Sequence, residues 1–181
     1  FSEDVEHLIF ISSVSVYGEY NRKGPVNEEH DLRPSSEYGR SKKYSENLVL
    51  KSKIKNCTIL RLCPVYNESN LDDVRKRVFL ANLWFLKIKM FPSPKFSLVH
   101  LNTVVNIVLN FIKVPSDGKQ IYNIFDKDPL SQNNLIKWFS GINIPFPISI
   151  TLPLYYLFHL ILNLGCYHLI EYLLPEEDLE D

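Results

Sequence analysis

The sequence predicts an α/β fold built around a parallel β-sheet, and three observations support this prediction. Residues 8–13 (LIFISS) are an apolar run that ends in serines, which is typical of a strand buried on both faces. Residues 37–53 show helical spacing of apolar side chains, and residues 57–62 (CTILRL) form a second strand that Pro64 ends. Strand and helix keep alternating after that, which indicates a parallel sheet with crossover helices.

The remaining elements follow from periodicity and capping signals. Ser35 or Ser36 is the expected N-cap of the helix over 37–53. Farther along we predict an amphipathic helix over 74–89, a strand over 96–99, a helix over 102–113, a turn at Asp117–Gly118, a strand over 120–124, and a helix that Ser131 caps and that runs to Phe139.

Composition excludes several classes of protein. The 181 residues are 45% hydrophobic and 23% charged with a net charge of -1, which fits a globular domain with a core and not a disordered chain. The near-neutral balance, with one short cationic cluster at 75–77, argues against nucleic-acid binding. Three widely spaced cysteines predict neither a metal site nor a disulfide framework, and they suit a cytoplasmic compartment.

Both ends of the sequence are unusual. It opens at Phe1 without Met or an apolar leader and enters a buried strand almost at once, so we expect a fragment. No residue between Lys137 and Glu171 is charged. The uncharged stretch 154–170 is slightly shorter than a typical membrane span of about 20 residues. A buried helix and a peripheral membrane contact through 154–170 both stay open.

Residues 38–42 (YGRSK) place Tyr38 and Lys42 on one face of the first predicted helix. A cation beside a phenol favours the phenolate, and such a phenol can exchange a proton with a substrate hydroxyl. The ammonium can also donate hydrogen bonds to the ribose hydroxyls of a cofactor. By itself the pair is a weak signal, because chance gives roughly 0.8 such pairs in this composition, and an ordinary helix-surface pair is the alternative.

Ser12 and Ser13 strengthen the signal, because they end the first strand at its carboxyl end. Ligands and catalytic groups gather there in open parallel sheets. A serine at this point can hydrogen-bond the oxygen that Tyr38 protonates, although turn chemistry alone also places serines at strand ends.

Taken in order, these segments resemble the extended short-chain dehydrogenases/reductases of the NAD-dependent epimerase/dehydratase family. The resemblance covers about 8–139. Its matching segments are FISSVSVYG (10–18), a loop with Pro25, Glu28 and Pro34, PSSEYGRSK (34–42), TILRLCPVY (58–66), FSLVHLNTVV (96–105) and QIYNI (120–124).

The resemblance implies a role for each of three residues. Tyr38 would be the catalytic acid/base, Ser13 its hydrogen-bonding partner at the substrate oxygen, and Lys42 the residue that tunes Tyr38 and anchors the ribose. It also implies an NAD or NADP cofactor, with contacts from Ser12, Tyr38, Lys42, Pro64 and Val65.

The resemblance also implies an architecture. Residues 1–66 would be the second half of a Rossmann-type cofactor-binding domain. Residues 67–181 would hold the remaining strands, a small substrate-binding region and the apolar C-terminal helix.

Departures from the family pattern limit what this chain does alone. None of its six glycines stands at the G-x-x-G or G-x-G spacing that seats a pyrophosphate on a helix N-terminus. Asn67 and Asn102 replace a usual Gly and Asp, and the chain is short between Phe91 and Phe96. We therefore expect that the half of the protein that binds the pyrophosphate of the cofactor is missing and that the fragment alone is inactive.

For the intact protein, the resemblance implies an NAD(P)-dependent nucleotide-sugar epimerase or reductase that acts on a UDP-sugar in surface polysaccharide biosynthesis, as a monomer or a homodimer. Two alternatives stay open. One is a membrane-associated oxidoreductase similar to hydroxysteroid dehydrogenases. The other is a non-catalytic truncated product.

Overall fold

A computed structural model of the chain describes residues 5–18, 25–80 and 83–147. The strands are β1 (His7–Ser13), β2 (Asn56–Leu62), β3 (Val65–Tyr66), β4 (Phe79–Leu80), β5 (Leu83–Phe91), β6 (Lys95–Phe96), β7 (Val99–His100), β8 (Lys119–Ile124), β9 (Leu130–Ser131) and β10 (Ile142–Pro147). The helices are α1 (Glu37–Lys51), α2 (Asp72–Arg75), α3 (Leu101–Lys113) and α4 (Gln132–Ile136), and a short 3-10 turn (Val14–Tyr17) follows β1.

The chain forms two compact units. The first contains 1–65 and 98–126, and the second contains 66–97 and 127–181. The sequence-based division at residue 66 differs from this one, because it assigned 98–126 to the second part.

The first unit is built on a parallel sheet in the order β1-β2-β8. Phe10 pairs with Ile59, which pairs with Ile121, and two residues farther along the register aligns Ser12, Arg61 and Asn123 in one row across the sheet. The α/β class, and the parallel pairing of the strands predicted at 8–13 and 57–62, are thereby confirmed.

Helices cover both faces of this sheet, because its side chains alternate between two apolar clusters. The cluster on the α1 face contains Val49, Ile54, Cys57 and Ile59, with Leu8, Phe10, Leu50 and Ile121 against it. The cluster on the α3 face contains Leu60, Val99, Val104 and Ile124, with Ile9, Ile107, Val108 and Phe111. Ile59 and Leu60 of β2 are both fully buried, one in each cluster, which explains why this strand is apolar at these consecutive positions.

The helix predicted over 37–53 is α1, which ends two residues earlier, at Lys51. Its N-cap is Ser36, whose hydroxyl accepts a hydrogen bond from the Gly39 amide at 3.1 Å. This contact satisfies one of the backbone donors that every helix start leaves unpaired.

In the second unit, the helix predicted over 74–89 is wrong. The helical part is only α2, and most of the segment is β4 and β5, with β5 paired in parallel to β10 and antiparallel to β4. Ile88 and Met90 are buried and Lys89 between them is partly exposed, which is a period of two. Aromatic and β-branched residues in 84–91 favour a strand when partner strands are available.

The other predicted elements are found with small shifts. The strands at 120–124 and 96–99 correspond to β8 and to the separate short strands β6 and β7. Ser131 caps α4, which ends at Ile136 and not at Phe139. No helix within 5–18, 25–80 and 83–147 is long and apolar enough to cross a membrane. The stretch 154–170 lies outside the described residues.

Candidate active site

The carboxyl end of β1 carries the two predicted serines in different environments. Ser13 is partly exposed, and its hydroxyl caps the following 3-10 turn by accepting the Ser15 amide at 3.2 Å and donating to the Ser15 hydroxyl at 3.1 Å. Ser12 is 2% exposed and donates to Glu46 Oε1 at 2.5 Å. The Ser12 hydroxyl is therefore engaged inside the protein, and the cofactor contact predicted for Ser12 stays a prediction.

Tyr38 and Lys42 lie beside the same strand end. Lys42 Nζ donates to the main-chain oxygen of Ile11 at 2.9 Å and lies 5.7 Å from the centroid of the Tyr38 ring. The Tyr38 side chain is 56% exposed. The spacing of four residues thus brings a phenol and an ammonium together next to β1, with the phenol open to a ligand.

Gly39 brings the serine turn and the tyrosine helix into contact. A Cβ atom at Gly39 would stand 2.5 Å from the main-chain oxygen of Ser15 and 2.9 Å from Pro34 Cβ. Only a residue without a side chain lets the first turn of α1 approach the 3-10 turn this closely. Ser13 and Tyr38 are each within two residues of this contact, so the packing holds their backbones near each other.

Pro64 and Val65 follow β2 at the same end of the sheet. Both are partly buried, and the main-chain oxygen of Pro64 accepts the Val99 amide at 3.1 Å. Cys63 continues the pairing to β8 through a bond from its amide to the Ile124 oxygen at 3.0 Å. The segment predicted to border the cofactor is therefore tied to its neighbouring strand.

Sequence reasoning missed a buried polar cluster beneath these residues. Arg61 and Glu46 form an ion pair at 2.7 Å, with side chains 3% and 1% exposed. Arg61 Nη1 also donates to the Tyr17 hydroxyl at 2.7 Å and to the main-chain oxygen of Glu28 at 3.2 Å. The Tyr17 hydroxyl donates to Asn123 Oδ1 at 2.7 Å.

The charge on Arg61 is secure in this setting. Burial by itself lowers the pKa of the guanidinium, but hydrogen bonds and charges from Glu46 and Tyr17 outweigh burial, so the pKa of Arg61 lies above its ordinary value. A signal for the cluster was available in the sequence. Arginine inside an apolar strand must find a buried partner, and Glu46 stands one helical turn after Lys42 on the same face.

The described residues fit one end of a dinucleotide cofactor. An ammonium has three donors, and the Ile11 oxygen takes one of those on Lys42, which leaves two for ribose hydroxyls. The exposed Tyr38 phenol is beside it. The sequence holds no glycine-rich turn for the pyrophosphate, so the fit applies to the nicotinamide and ribose side only.

Comparison with known proteins identifies the family. The family model "NAD dependent epimerase/dehydratase family" matches residues 1–124. The chain is 27% identical over 159 residues to N-acetyl-alpha-D-glucosaminyl-diphospho-ditrans,octacis-undecaprenol 4-epimerase of Escherichia coli O157:H7, covering 80% of this chain and 47% of that protein. It is 28% identical over 144 residues to UDP-glucose 4-epimerase of Vibrio cholerae, covering 74% and 42%. It spans about half the length of these relatives.

Solved structures support the fold. UDP-glucuronic acid 4-epimerase from Bacillus cereus in complex with NAD superimposes with a TM-score of 0.62 at 19% identity, covering 79% of this chain and 51% of that chain. A short-chain dehydrogenase/reductase superfamily protein from Agrobacterium tumefaciens with bound NAD gives 0.63 at 21% identity, covering 79% and 56%. At these identities the likeness establishes the Rossmann-type fold alone, whereas the family match covers more than half of the sequence. The chain belongs to the NAD-dependent epimerase/dehydratase family.

Proposed function

We propose that the complete protein is an NAD(P)-dependent nucleotide-sugar epimerase or reductase that acts on a UDP-sugar. The observation that carries this proposal is the arrangement of Tyr38 and Lys42 on one face of α1, beside the carboxyl end of β1 that bears Ser13. The family match and the two 4-epimerase relatives support it, because both relatives are named for inverting one carbon of a sugar diphosphate.

The residues of this chain would handle the proton and the orientation of the sugar. Tyr38 takes the proton of the reacting hydroxyl as the C–H bond of the same carbon breaks and the carbonyl forms. The Ser13 hydroxyl, which donates to the Ser15 hydroxyl in this structure, would turn to donate its hydrogen bond to that oxygen and fix its position. NAD, when bound, would supply the hydride chemistry at that carbon. In an epimerase, Tyr38 would return its proton to the oxygen once the hydride is delivered to the opposite face of the carbonyl. In a reductase, Tyr38 would only donate a proton to the carbonyl oxygen, because a single hydride transfer completes the reaction.

Lys42 would serve two tasks in this scheme. Its ammonium lies 5.7 Å from the centroid of the Tyr38 ring, so it would offset negative charge that develops on the phenol oxygen while the proton moves. Its N–H groups not used by Ile11 would bind the ribose of the cofactor.

Two classes of substrate suit the proposal, because the curated relatives differ in the diphosphate carrier to which the sugar stays attached. The Vibrio cholerae relative is named for UDP-glucose and the Escherichia coli relative for a polyprenyl diphosphate sugar. We propose the UDP-sugar as substrate, with a role in surface polysaccharide synthesis in the cytoplasm. Turnover of the lipid-linked sugar alone would instead favour peripheral membrane contact through 154–170.

The test is Tyr38→Phe in the complete gene product. We expect turnover of UDP-glucose or UDP-N-acetylglucosamine with NAD to fall by about 10²–10⁴-fold, because a positioned proton-transfer group contributes that much. Stability should change little, since the phenol is 56% exposed and the ring is kept. Steady-state kinetics measures the first effect and thermal unfolding the second.

Tyr44→Phe is the matched control, because Tyr44 is on the same helix and 66% exposed. It should keep normal turnover. A Tyr38→Phe protein that retains more than about a tenth of wild-type turnover would contradict the proposed mechanism. Lack of turnover by the wild type with either sugar class and either NAD or NADP would contradict the proposed function.

A further inference from the structure

A row of polar side chains crosses the parallel sheet one residue before its carboxyl end. The register places Ser12, Arg61 and Asn123 side by side on β1, β2 and β8. The row before it on the same face is Phe10, Ile59 and Ile121, all apolar. The layer between α1 and the sheet therefore changes from hydrocarbon to polar groups near the predicted active site.

Helix α1 shows the same change along its length. Val49 and Leu50 pack in the apolar cluster, and one turn earlier Glu46 meets Ser12 and Arg61. Another turn earlier Lys42 reaches the Ile11 oxygen. Two successive residues of β1 are thus bound by two successive turns of α1.

The loop before α1 is tied to the same row. The main-chain oxygen of Glu28 accepts a hydrogen bond from Arg61 Nη1. The Glu28 carboxylate oxygen Oε1 accepts a hydrogen bond from the main-chain amide of Asn123 at 2.7 Å. Tyr17, from the turn after Ser13, joins Arg61 to Asn123 through its hydroxyl. The Arg61 guanidinium binds three of these partners, namely Glu46, the main-chain oxygen of Glu28 and the Tyr17 hydroxyl.

We propose that the Glu46–Arg61 pair is a positioning device that sets the spacing of Ser13, Tyr38 and Lys42, a role that rests on the proposed function. The pair links the elements that carry the site residues. Glu46 stands one turn after Lys42 on α1, and Arg61 is on β2. Ser12, which donates to Glu46, stands next to Ser13 on β1. Both charged side chains are almost fully buried, at 3% and 1% exposure, so the proposed role acts through neighbouring residues and not by contact with substrate or cofactor. Buried ion pairs add little net stability compared with apolar residues of similar size, whereas displacement of a catalytic group by about 1 Å can cost about 10²-fold in rate.

The test separates positioning from stability with the double variant Glu46→Leu/Arg61→Met in the complete gene product. Replacing both members by apolar residues should leave the melting temperature within about 4 °C of wild type. We expect kcat to fall by about 10–100-fold, with KM for the nucleotide sugar changed less than about threefold. A folded double variant with kcat within about threefold of wild type would overturn the inference.

Val49→Ala is the matched control, because Val49 is buried in the apolar part of the same α1–sheet layer. It should lower the melting temperature more than the double variant does and yet keep kcat near wild type. If kcat instead follows melting temperature across the variants, the pair serves stability only and the inference is wrong.

Tyr17→Phe covers the case in which the double variant does not fold. It removes only the hydroxyl between Arg61 and Asn123, and we expect a loss in kcat of about 3–10-fold. If the double variant does not fold and Tyr17→Phe leaves kcat unchanged, the positioning role of the Glu46–Arg61 pair is overturned.

Hydrogen exchange provides a readout that does not depend on the reaction. In the double variant or in Tyr17→Phe, amides of 12–15 and 38–42 should exchange at least about tenfold faster than in wild type, while Val49→Ala leaves them protected. Unchanged exchange in both segments overturns the inference whatever the activity. If the wild type turns over no nucleotide sugar, the proposed function fails and hydrogen exchange alone decides the positioning device.

Discussion

Because Gly39 has no side chain, the first turn of α1, which carries Tyr38, packs closely against the 3-10 turn that follows Ser13. The main-chain oxygen of Ser15 occupies the space that a Cβ atom would need, and Pro34 closes the other side. In an ordinary exposed helix, alanine in place of glycine stabilises by about 0.5–1 kcal/mol. Here the neighbour that would have to move is backbone, so the sign of the effect should reverse.

We therefore expect Gly39→Ala to destabilise the folded protein by about 1–2 kcal/mol, a net of helix propensity and overpacking. The free energy of unfolding in urea measures this. Asn47→Ala, at an exposed position of the same helix, is the control and should raise stability by about 0.5 kcal/mol, because alanine is the better helix former. A more stable Gly39→Ala protein would show that the helix and the turn are not in close contact.

Helix α1 is positioned at its start by a local signal and along its length by tertiary contacts. Ser36 ends the preceding loop and caps the first turn, so Tyr38 is always the second residue of the helix. In the second unit no comparable signal was decisive. The sequence of 83–91 is compatible with an amphipathic helix and with a strand, and pairing with β4 and β10 makes it a strand.

Removing the cap should weaken α1 at the end that carries Tyr38. We expect Ser36→Ala to cost about 1 kcal/mol of unfolding free energy, because the Gly39 amide loses its acceptor. Ser41→Ala, exposed within the same helix, serves as control and should not lower stability, because alanine is the better helix former. Urea unfolding followed by far-UV circular dichroism compares the two, and equal stabilities would mean that the cap contributes nothing.

At the scale of the whole molecule, the sequence has candidate residues for one end of the cofactor and no glycine-rich turn for the other. Lys42 and Tyr38, which lie close together beside β1, are the residues that we propose for the ribose side. The six glycines are too far apart in sequence to form a pyrophosphate cradle.

We accordingly expect the 181-residue chain to bind NAD with a dissociation constant weaker than about 1 mM, which corresponds to less than about 4 kcal/mol of binding free energy. Calorimetric titration of this chain and of the complete gene product makes the comparison. Micromolar affinity for the shorter chain would show that Lys42, Tyr38 and their neighbours suffice to hold the dinucleotide.

The sequence alone determined the parallel α/β class, the serine-ended strand and the Tyr38–Lys42 pair, because these depend on local periodicity and on spacing within one helix. Tertiary contacts decided the features that local patterns do not specify, namely strand pairing, unit membership and register. Strand β5 formed where partner strands were available, and residues 98–126 joined the first unit through β8 and α3. The row of Ser12, Arg61 and Asn123 exists only through register, since its members are 49 and 62 residues apart in sequence. Burial is a property of the assembled sheet, and only burial turned Arg61 and Glu46 into partners.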